Sequence, residues 1–244
     1  MSAAWHRLTF AGLDFETTGV DPEEDRIVSA AVVLRGGGRP TERRTWLSDV
    51  GGMEIPAGAT AVHGITTAHA REYGRPAAEV VEEVAASVAE AVAAGCPLVV
   101  MNAPFDLTML DRELRRYGVP LLADRCTPYV IDPRVLDRKV SRRRGSRTLT
   151  DLARHYVVEL HGAHTCDADA LAACAVVYKI ANRYKWLASI PLPRLHAEQV
   201  RWAAEQQEGL RDYFARTDGK RHLAQGVRLD WPMVPAPLMT GSRS

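Results

Sequence analysis

The stretch Leu8-Thr9-Phe10-Ala11-Gly12-Leu13-Asp14-Phe15-Glu16-Thr17-Thr18-Gly19 decides the fold. Leu8–Phe15 is a short apolar run rich in β-forming residues and reads as a strand. Side chains alternate faces along a strand, so Asp14 and Glu16 project from one side and Phe15 from the other, into a core. Two carboxylates on one face at a strand end repel each other unless a cation lies between them. A hard divalent cation with oxygen ligands is the natural partner. The plain alternative is a pair of solvated acids ahead of a Thr17-Thr18-Gly19 turn.

Working outward, Arg26–Leu34 and Arg43–Leu47 read as a second and third strand, and Gly36-Gly37-Gly38 between them suggests a hairpin. Three strands in succession imply an antiparallel start to a sheet. Ala78–Ala94 switches to helical period: Val80, Val84, Val88 and Val92 recur every four residues, with Glu79, Glu82, Glu83 and Glu90 mostly on the other face. Pro97–Met101 reads as a buried strand. Pro104–Tyr117 reads as a helix with proline near its first position and Gly118 at its end. Leu121–Ile131 has room for a further short strand, and Thr148–Tyr156 and Asp167–Arg183 look helical. Strands first, then alternating helix and strand, give an α/β domain with a mixed sheet flanked by helices. From about residue 186 the character changes. Two prolines in Leu187–Leu195 precede an amphipathic helix over Ala197–Arg216, and a Pro-rich tail follows over Asp230–Ser244. The reading is a main domain over 1–185 and a C-terminal extension over 186–244.

Composition narrows the function. The 244 residues carry 31 Lys plus Arg against 30 Asp plus Glu, a net charge of +1, so any polyanion site is a local patch. No apolar run approaches the ~20 residues of a membrane span, and the N-terminus lacks a signal-peptide layout. Cys96, Cys126, Cys166 and Cys174 form no CxxC pair, which argues against a structural zinc site and for reduced thiols in a cytoplasmic protein.

Two further strand-to-helix junctions carry chemistry. In Asn102-Ala103-Pro104-Phe105-Asp106, Asp106 falls in the first turn of its helix, where the dipole favours an anion. In His164-Thr165-Cys166-Asp167-Ala168-Asp169, a histidine precedes a helix with carboxylates in its first turn. Asp167 reads as the N-cap, occupied with backbone N–H groups, which leaves Asp169 as the better ligand. Taken singly, each junction also reads as ordinary helix-end chemistry.

Together, Asp14-x-Glu16-Thr17, then Asn102-x-x-Phe105-Asp106, then His164-x-x-x-x-Asp169 resemble the DEDDh family of 3′–5′ exonucleases. These are the DnaQ-like enzymes, which include the proofreading subunit of bacterial replicative polymerase. Val62-His63-Gly64-Ile65-Thr66 is similar to the family's loop after the third strand. The resemblance covers roughly residues 6–183. It implies an RNase H-like fold and two bound Mg²⁺ or Mn²⁺ ions. By position Asp14, Glu16, Asp106 and Asp169 would be the metal ligands and His164 the general base. Thr17, His63, Asn102 and Phe105 match positions near the terminal nucleotide. His164 suits proton transfer because an unperturbed imidazole titrates near pH 6.5.

Between Arg134 and Arg147 stand seven basic residues and one acid, Asp137. This run, and Arg142, Arg143 and Arg144 within it, is a candidate contact to a phosphate backbone. A solvated loop is the competing reading. On the extension, Gln207-x-x-Leu210-x-x-Tyr213-Phe214 resembles a sliding-clamp-binding peptide, while the apolar face of that helix also suits packing on the main domain. Trp231-Pro232 would then lie as an extended strap. The expected function is 3′–5′ exonuclease action on single-stranded or frayed DNA ends in proofreading or repair, with a polymerase or clamp as partner and no membrane. The rivals are an enzyme that trims RNA 3′ ends and a non-catalytic nucleic-acid-binding or polymerase-tethering module.

Overall fold

The structure is a computed structural model that describes residues 4–160 and 165–237. Five strands run β1 (Thr9–Thr17), β2 (Ile27–Gly36), β3 (Arg39–Leu47), β4 (Leu98–Val100) and β5 (Val130–Ile131). Ten helices are described: α1 (Ala57–His63), α2 (Thr67–Tyr73), α3 (Ala77–Ala93), α4 (Ala103–Arg116), α5 (Leu122–Arg125), α6 (Pro133–Val140), α7 (Leu149–Tyr156), α8 (Cys166–Arg183), α9 (Lys185–Ala188) and α10 (Leu192–Arg216). The sheet order is β3-β2-β1-β4-β5. β1 pairs antiparallel with β2 and parallel with β4, and β4 pairs parallel with β5. This is the mixed sheet flanked by helices that the sequence implied.

The hairpin between β2 and β3 pairs Gly36 with Arg39, leaving Gly37 and Gly38 as its two-residue loop. Both sit at positive φ, 62° and 73°, the backbone that a tight hairpin of right-twisted strands demands. With that turn closed, β3 starts at Arg39, four residues before the expected Arg43, and its exposed outer edge is lined with charge.

Two helical layers cover the sheet. α8 packs across β1, β2 and β4 on one face, and α3 and α4 cover the other. Gly12 lets α8 come close: a Cβ there would stand 2.8 Å from the Ala170 carbonyl oxygen and 2.8 Å from Cys174 Sγ. Asp14 and Glu16 share the face of Gly12 and therefore point toward α8. Leu13 and Phe15 point into the opposite core, where both are buried. A register shift between Glu16 and Thr17 bends β1 as it leaves the sheet, at the acid pair.

The C-terminal extension closes the other sheet edge. β5 has only two residues, and its outer backbone groups are taken by side chains of α10. His196 Nδ1 accepts the Val130 N–H at 3.1 Å, and Gln199 donates Nε2–H to the Val130 carbonyl at 3.0 Å. The helix begins at Leu192, five residues before its expected start, and Leu195 and Trp202 join the main core. Ala203 is buried and Gln206 donates Nε2–H to the Val135 carbonyl at 3.1 Å, while farther on the helix is more exposed and Tyr213 is 52% exposed. Trp231–Pro235 lies as a strap along α4. Val234 N–H donates to Thr108 Oγ1 at 2.9 Å, and the buried Arg112 guanidinium holds the carbonyls of Val234 and Pro235. Among the described residues no helix is long and apolar enough to cross a membrane.

Candidate active site

The parallel strands β1, β4 and β5 bring their C-terminal ends to one sheet edge, the usual place for a site in such sheets. β1 delivers Asp14 and Glu16. β4 delivers Asn102 and, one helical turn on, Asp106. α8 delivers Asp169 from its first turns. One carboxyl oxygen each from Asp14, Glu16 and Asp169 lie within 4.8 Å of one another. Asp106 stands outside this triangle, near enough for its charge to act on Asp14.

The electrostatics are those of crowded like charges. Burial, then the charges of Asp106, Asp169 and Glu16, raise the Asp14 carboxyl well above its ordinary range. Burial and Asp169 push Glu16 up to about 7. Burial also raises Asp106, which is 4% exposed, while the backbone N–H groups of Asp106 itself and Phe15 pull it down. Among the described residues, the neighbouring charges that act on Asp14 are carboxylates. Such a group of half-buried hard oxygen donors fits a divalent cation.

A stability prediction follows from the sign of these shifts. A carboxyl with a raised folded-state pKa holds its proton more tightly folded than unfolded, so stability falls as pH rises between the two values. For Glu16 that window runs from its ordinary 4.5 to about 7. The metal-free protein should lose melting temperature between pH 4.5 and 7. Mn²⁺ should restore it by several degrees at pH 7.5 and by little at pH 4.5. A Mn²⁺ shift equal at both pH values would show that the ion does not act through these carboxylates.

The turn that carries Asp106 is braced by a residue the sequence reading missed. Asn102 adopts the left-handed conformation, φ 61° and ψ 49°, which asparagine tolerates. Asp132, 1% exposed at the end of β5, holds this turn. Its Oδ1 accepts from Asn102 N–H at 3.2 Å and from Arg134 N–H at 2.8 Å; its Oδ2 accepts from Ala103 N–H at 3.1 Å. The extension grips Asp132 in turn: Gln199 Oε1 accepts the Asp132 N–H at 2.9 Å, and Trp231 Nε1–H reaches Oδ2 at 3.4 Å. Asp132→Ala should orphan several buried N–H groups, each worth roughly 1–3 kcal/mol. Urea denaturation should therefore show a loss of at least about 2 kcal/mol. A loss under about 0.5 kcal/mol would mean that water replaces the carboxylate at no cost.

The remaining expected site residues divide. Thr17 closes the turn after β1 by donating Oγ1–H to the Gly19 carbonyl at 2.6 Å. His63 ends α1, and its Nδ1 accepts the Ile65 N–H at 3.1 Å. Burial lowers its pKa, opposed by the nearby Thr17 backbone, and its buried Nε2 has no hydrogen-bond partner among the described residues. This brings His63 beside the end of β1. Asn102 Oδ1 accepts from Arg134 Nη1–H at 2.7 Å, and Phe105 is half-buried next to Asp106. Arg143 and Arg147 are both held by the buried Asp137, at 3.2 and 2.8 Å, while Arg142 and Arg144 are exposed. The basic run is also not all loop: its first half is α6. Asp167 does not cap α8. Thr165 is the N-cap, and Asp167 sits inside the first turn, paired with Arg43 at 3.6 Å. The helix starts earlier because Cys166 packs under β2, with its Sγ 3.6 Å from Ser29 Oγ. Burial pushes the Cys166 and Cys174 thiols up to about 12, which makes both unreactive. His164 lies outside the described residues.

Comparison with known proteins agrees with this geometry. The exonuclease family RNase_T matches residues 12–177, more than half of the chain. A DNA polymerase III subunit epsilon-like protein of Rhodobacter capsulatus is 40% identical over 109 residues, which are 44% of this chain and 15% of that protein. Escherichia coli exonuclease I in complex with a dT13 oligonucleotide has a similar fold, with TM-score 0.56 and 20% identity over 73% of this chain and 43% of that one. Exonuclease I of Methylocaldum szegediense superposes with TM-score 0.60 and 21% identity over 82% of this chain and 45% of that one. The chain thus spans less than half the length of each of these relatives. A sheet edge loaded with carboxylates and a family match that contains the acid pair of β1, all of α4 and most of α8 lead to one assignment: the chain belongs to the exonuclease family RNase_T.

Proposed function

We propose that this chain hydrolyses phosphodiester bonds from the 3′ ends of single-stranded or frayed DNA, in proofreading or repair. The observation that carries the reading is the convergence of Asp14, Glu16 and Asp169 within 4.8 Å, with Asp106 alongside. Asp14, Glu16, Asp106 and Asp169 would hold two divalent cations, Mg²⁺ or Mn²⁺. Such ions supply charge stabilisation to the attacking and leaving oxygens of an in-line displacement. The four carboxylates offset that positive charge and fix its place. His164 is the proton acceptor for the attacking water.

The 3′-terminal nucleotide would lie against Thr17, His63, Asn102 and Phe105. The Phe105 ring offers a stacking face, and the unpartnered His63 Nε2 a polar contact. Arg142 and Arg144, exposed at the end of the basic run, are free to follow the strand's phosphates, and Arg143 stays with Asp137. The DNA preference draws support from the oligonucleotide bound by the E. coli relative, and a polymerase link from the epsilon-like name of the R. capsulatus relative. Residues 1–185 form the catalytic domain, and the extension over 186–244 seals and braces it.

End-labelled DNA and RNA oligonucleotides, incubated with Mg²⁺ with and without chelator, test this directly. The expected product is a one-nucleotide ladder shortening from the 3′ end of DNA and abolished by chelator. A ladder on RNA alone would move the substrate to RNA. No chelator-sensitive product on either would leave a binding module.

A further inference from the structure

Arg134 and Arg138 lie one turn apart on α6 and face a cavity of about 380 Å³, walled also by Asn102, Ser146, Arg147 and Thr148. The basic residues of this region differ in what holds them. Asp137 takes Arg143 and Arg147. Asp151 takes the hydroxyls of Ser146 and Thr148. Among the described residues the Arg134 guanidinium donates to the neutral Asn102 Oδ1, no carboxylate forms an ion pair with Arg134 or Arg138, and the buried Arg138 Nε has no hydrogen-bond partner. Burial and the like charges of Arg134 and Arg147 lower the Arg138 pKa, only partly opposed by Asp132 and Asp137.

Two half-buried guanidinium groups side by side, with no carboxylate in ion-pair contact among the described residues, are costly unless an anion joins them. Their fork of N–H donors matches phosphate oxygens. The position is as telling as the charge. α6 follows β5, and β5 lies two strand spacings from β1, or about 10 Å. The cavity therefore lies beside the carboxylate cluster and not on it. Asn102 joins the two, because it opens the helix of Asp106 and its side chain orients Arg134.

We propose that Arg134 and Arg138 form an anion pocket for one phosphate of the bound nucleic-acid strand, at a linkage other than the scissile one. The proposal rests on the exonuclease reading for its ligand, but on different residues from those that hold the ions.

Binding of a labelled dT oligonucleotide, followed by anisotropy with Ca²⁺ in place of Mg²⁺, tests it. One neutral methylphosphonate linkage is walked inward from the 3′ end. The double variant Arg134→Gln/Arg138→Gln should bind the all-phosphate strand about tenfold more weakly, with a salt slope shallower by about 0.7 for the phosphate lost. In the wild type one linkage position should cost a similar factor. In the variant that position should cost nothing further, a coupling that a fold defect does not produce. Arg134→Lys/Arg138→Lys should keep most of the salt slope and lose the coupling at that position. Losses that multiply at every position would overturn the pocket. So would inhibition by dTMP relieved in the variant with strand binding unaffected, which would assign the cavity to the released nucleotide. No strand binding by the wild type would also overturn it. A wild type that binds with the coupling but cleaves nothing in Mg²⁺ would overturn the exonuclease reading alone.

Discussion

Asp14→Ala is expected to abolish both Mn²⁺ binding by calorimetry and 3′–5′ cleavage, while leaving the fold intact. The charges of Asp106, Asp169 and Glu16 each raise the Asp14 pKa. Asp14 stands on the central strand of the sheet, so no neighbour can swing into its place. Loss of one fixed electrostatic group that serves a transition state costs roughly 10²–10³-fold in turnover. Loss of a residue that stands beside three other carboxylates should cost more, down to background. Stability should move the other way. At pH 8 the metal-free site holds mutually repelling carboxylates, so Asp14→Asn, which keeps the shape and removes the charge, should melt at or above the wild-type temperature. Loss of activity with a sharp drop in melting temperature would instead mean that Asp14 is structural. Unchanged Mn²⁺ binding would remove it from the ligand set.

How much of this was legible in sequence depended on how local each signal is. β1 and its acid pair were readable because strand alternation alone puts Asp14 and Glu16 on one face. The β2–β3 hairpin was readable from its glycines, and α3 from the four-residue recurrence of its valines. What failed was either ambiguous locally or long-range. Thr165 and Asp167 are both good capping residues, and only the burial of Cys166 beneath Ser29 decides between them. Charge density hid α6, although Asp132-Pro133 carries an N-cap followed by proline at the first helical position, a usable start signal. The density of arginine also could not show that Asp137 takes Arg143 and Arg147 and that, among the described residues, Arg134 and Arg138 have no ion-pair partner. The brace on Asp106 could not be read at all. It links Asn102 to Asp132, Gln199 and Trp231, residues up to 99 positions apart for the pair Asp132 and Trp231, through contacts that exist only once α10 has sealed β5.

That brace ties the extension to the turn that carries Asp106. The family match ends at residue 177, before α10 and the strap. Yet the hydrogen bonds that fix the turn of Asp106 run through Asp132 into Gln199 and Trp231. A site held by four elements on one sheet edge needs that edge to be rigid, because small misplacements of catalytic groups cost large factors in rate. The short β5 offers little rigidity alone, and α10 supplies it.

His164→Ala should lower turnover by roughly 10²–10⁴-fold while Mn²⁺ still binds. The argument is one of separable roles. A ligand variant loses the ions and the rate together, whereas a base variant loses the rate alone. An imidazole near pH 6.5 is deprotonated enough at neutral pH to accept a proton, and protonated enough to return it. Such a base acts once it has lost its proton, so the wild-type rate should climb with pH through the imidazole's titration. In His164→Ala this rise should flatten, since the group that titrates is gone. His164→Gln keeps a hydrogen-bonding side chain and should be as slow as alanine if proton transfer is the role, or partly recovered if the histidine only positions its neighbours. Near-wild-type turnover in His164→Ala, or an unchanged pH profile, would assign the proton to another acceptor.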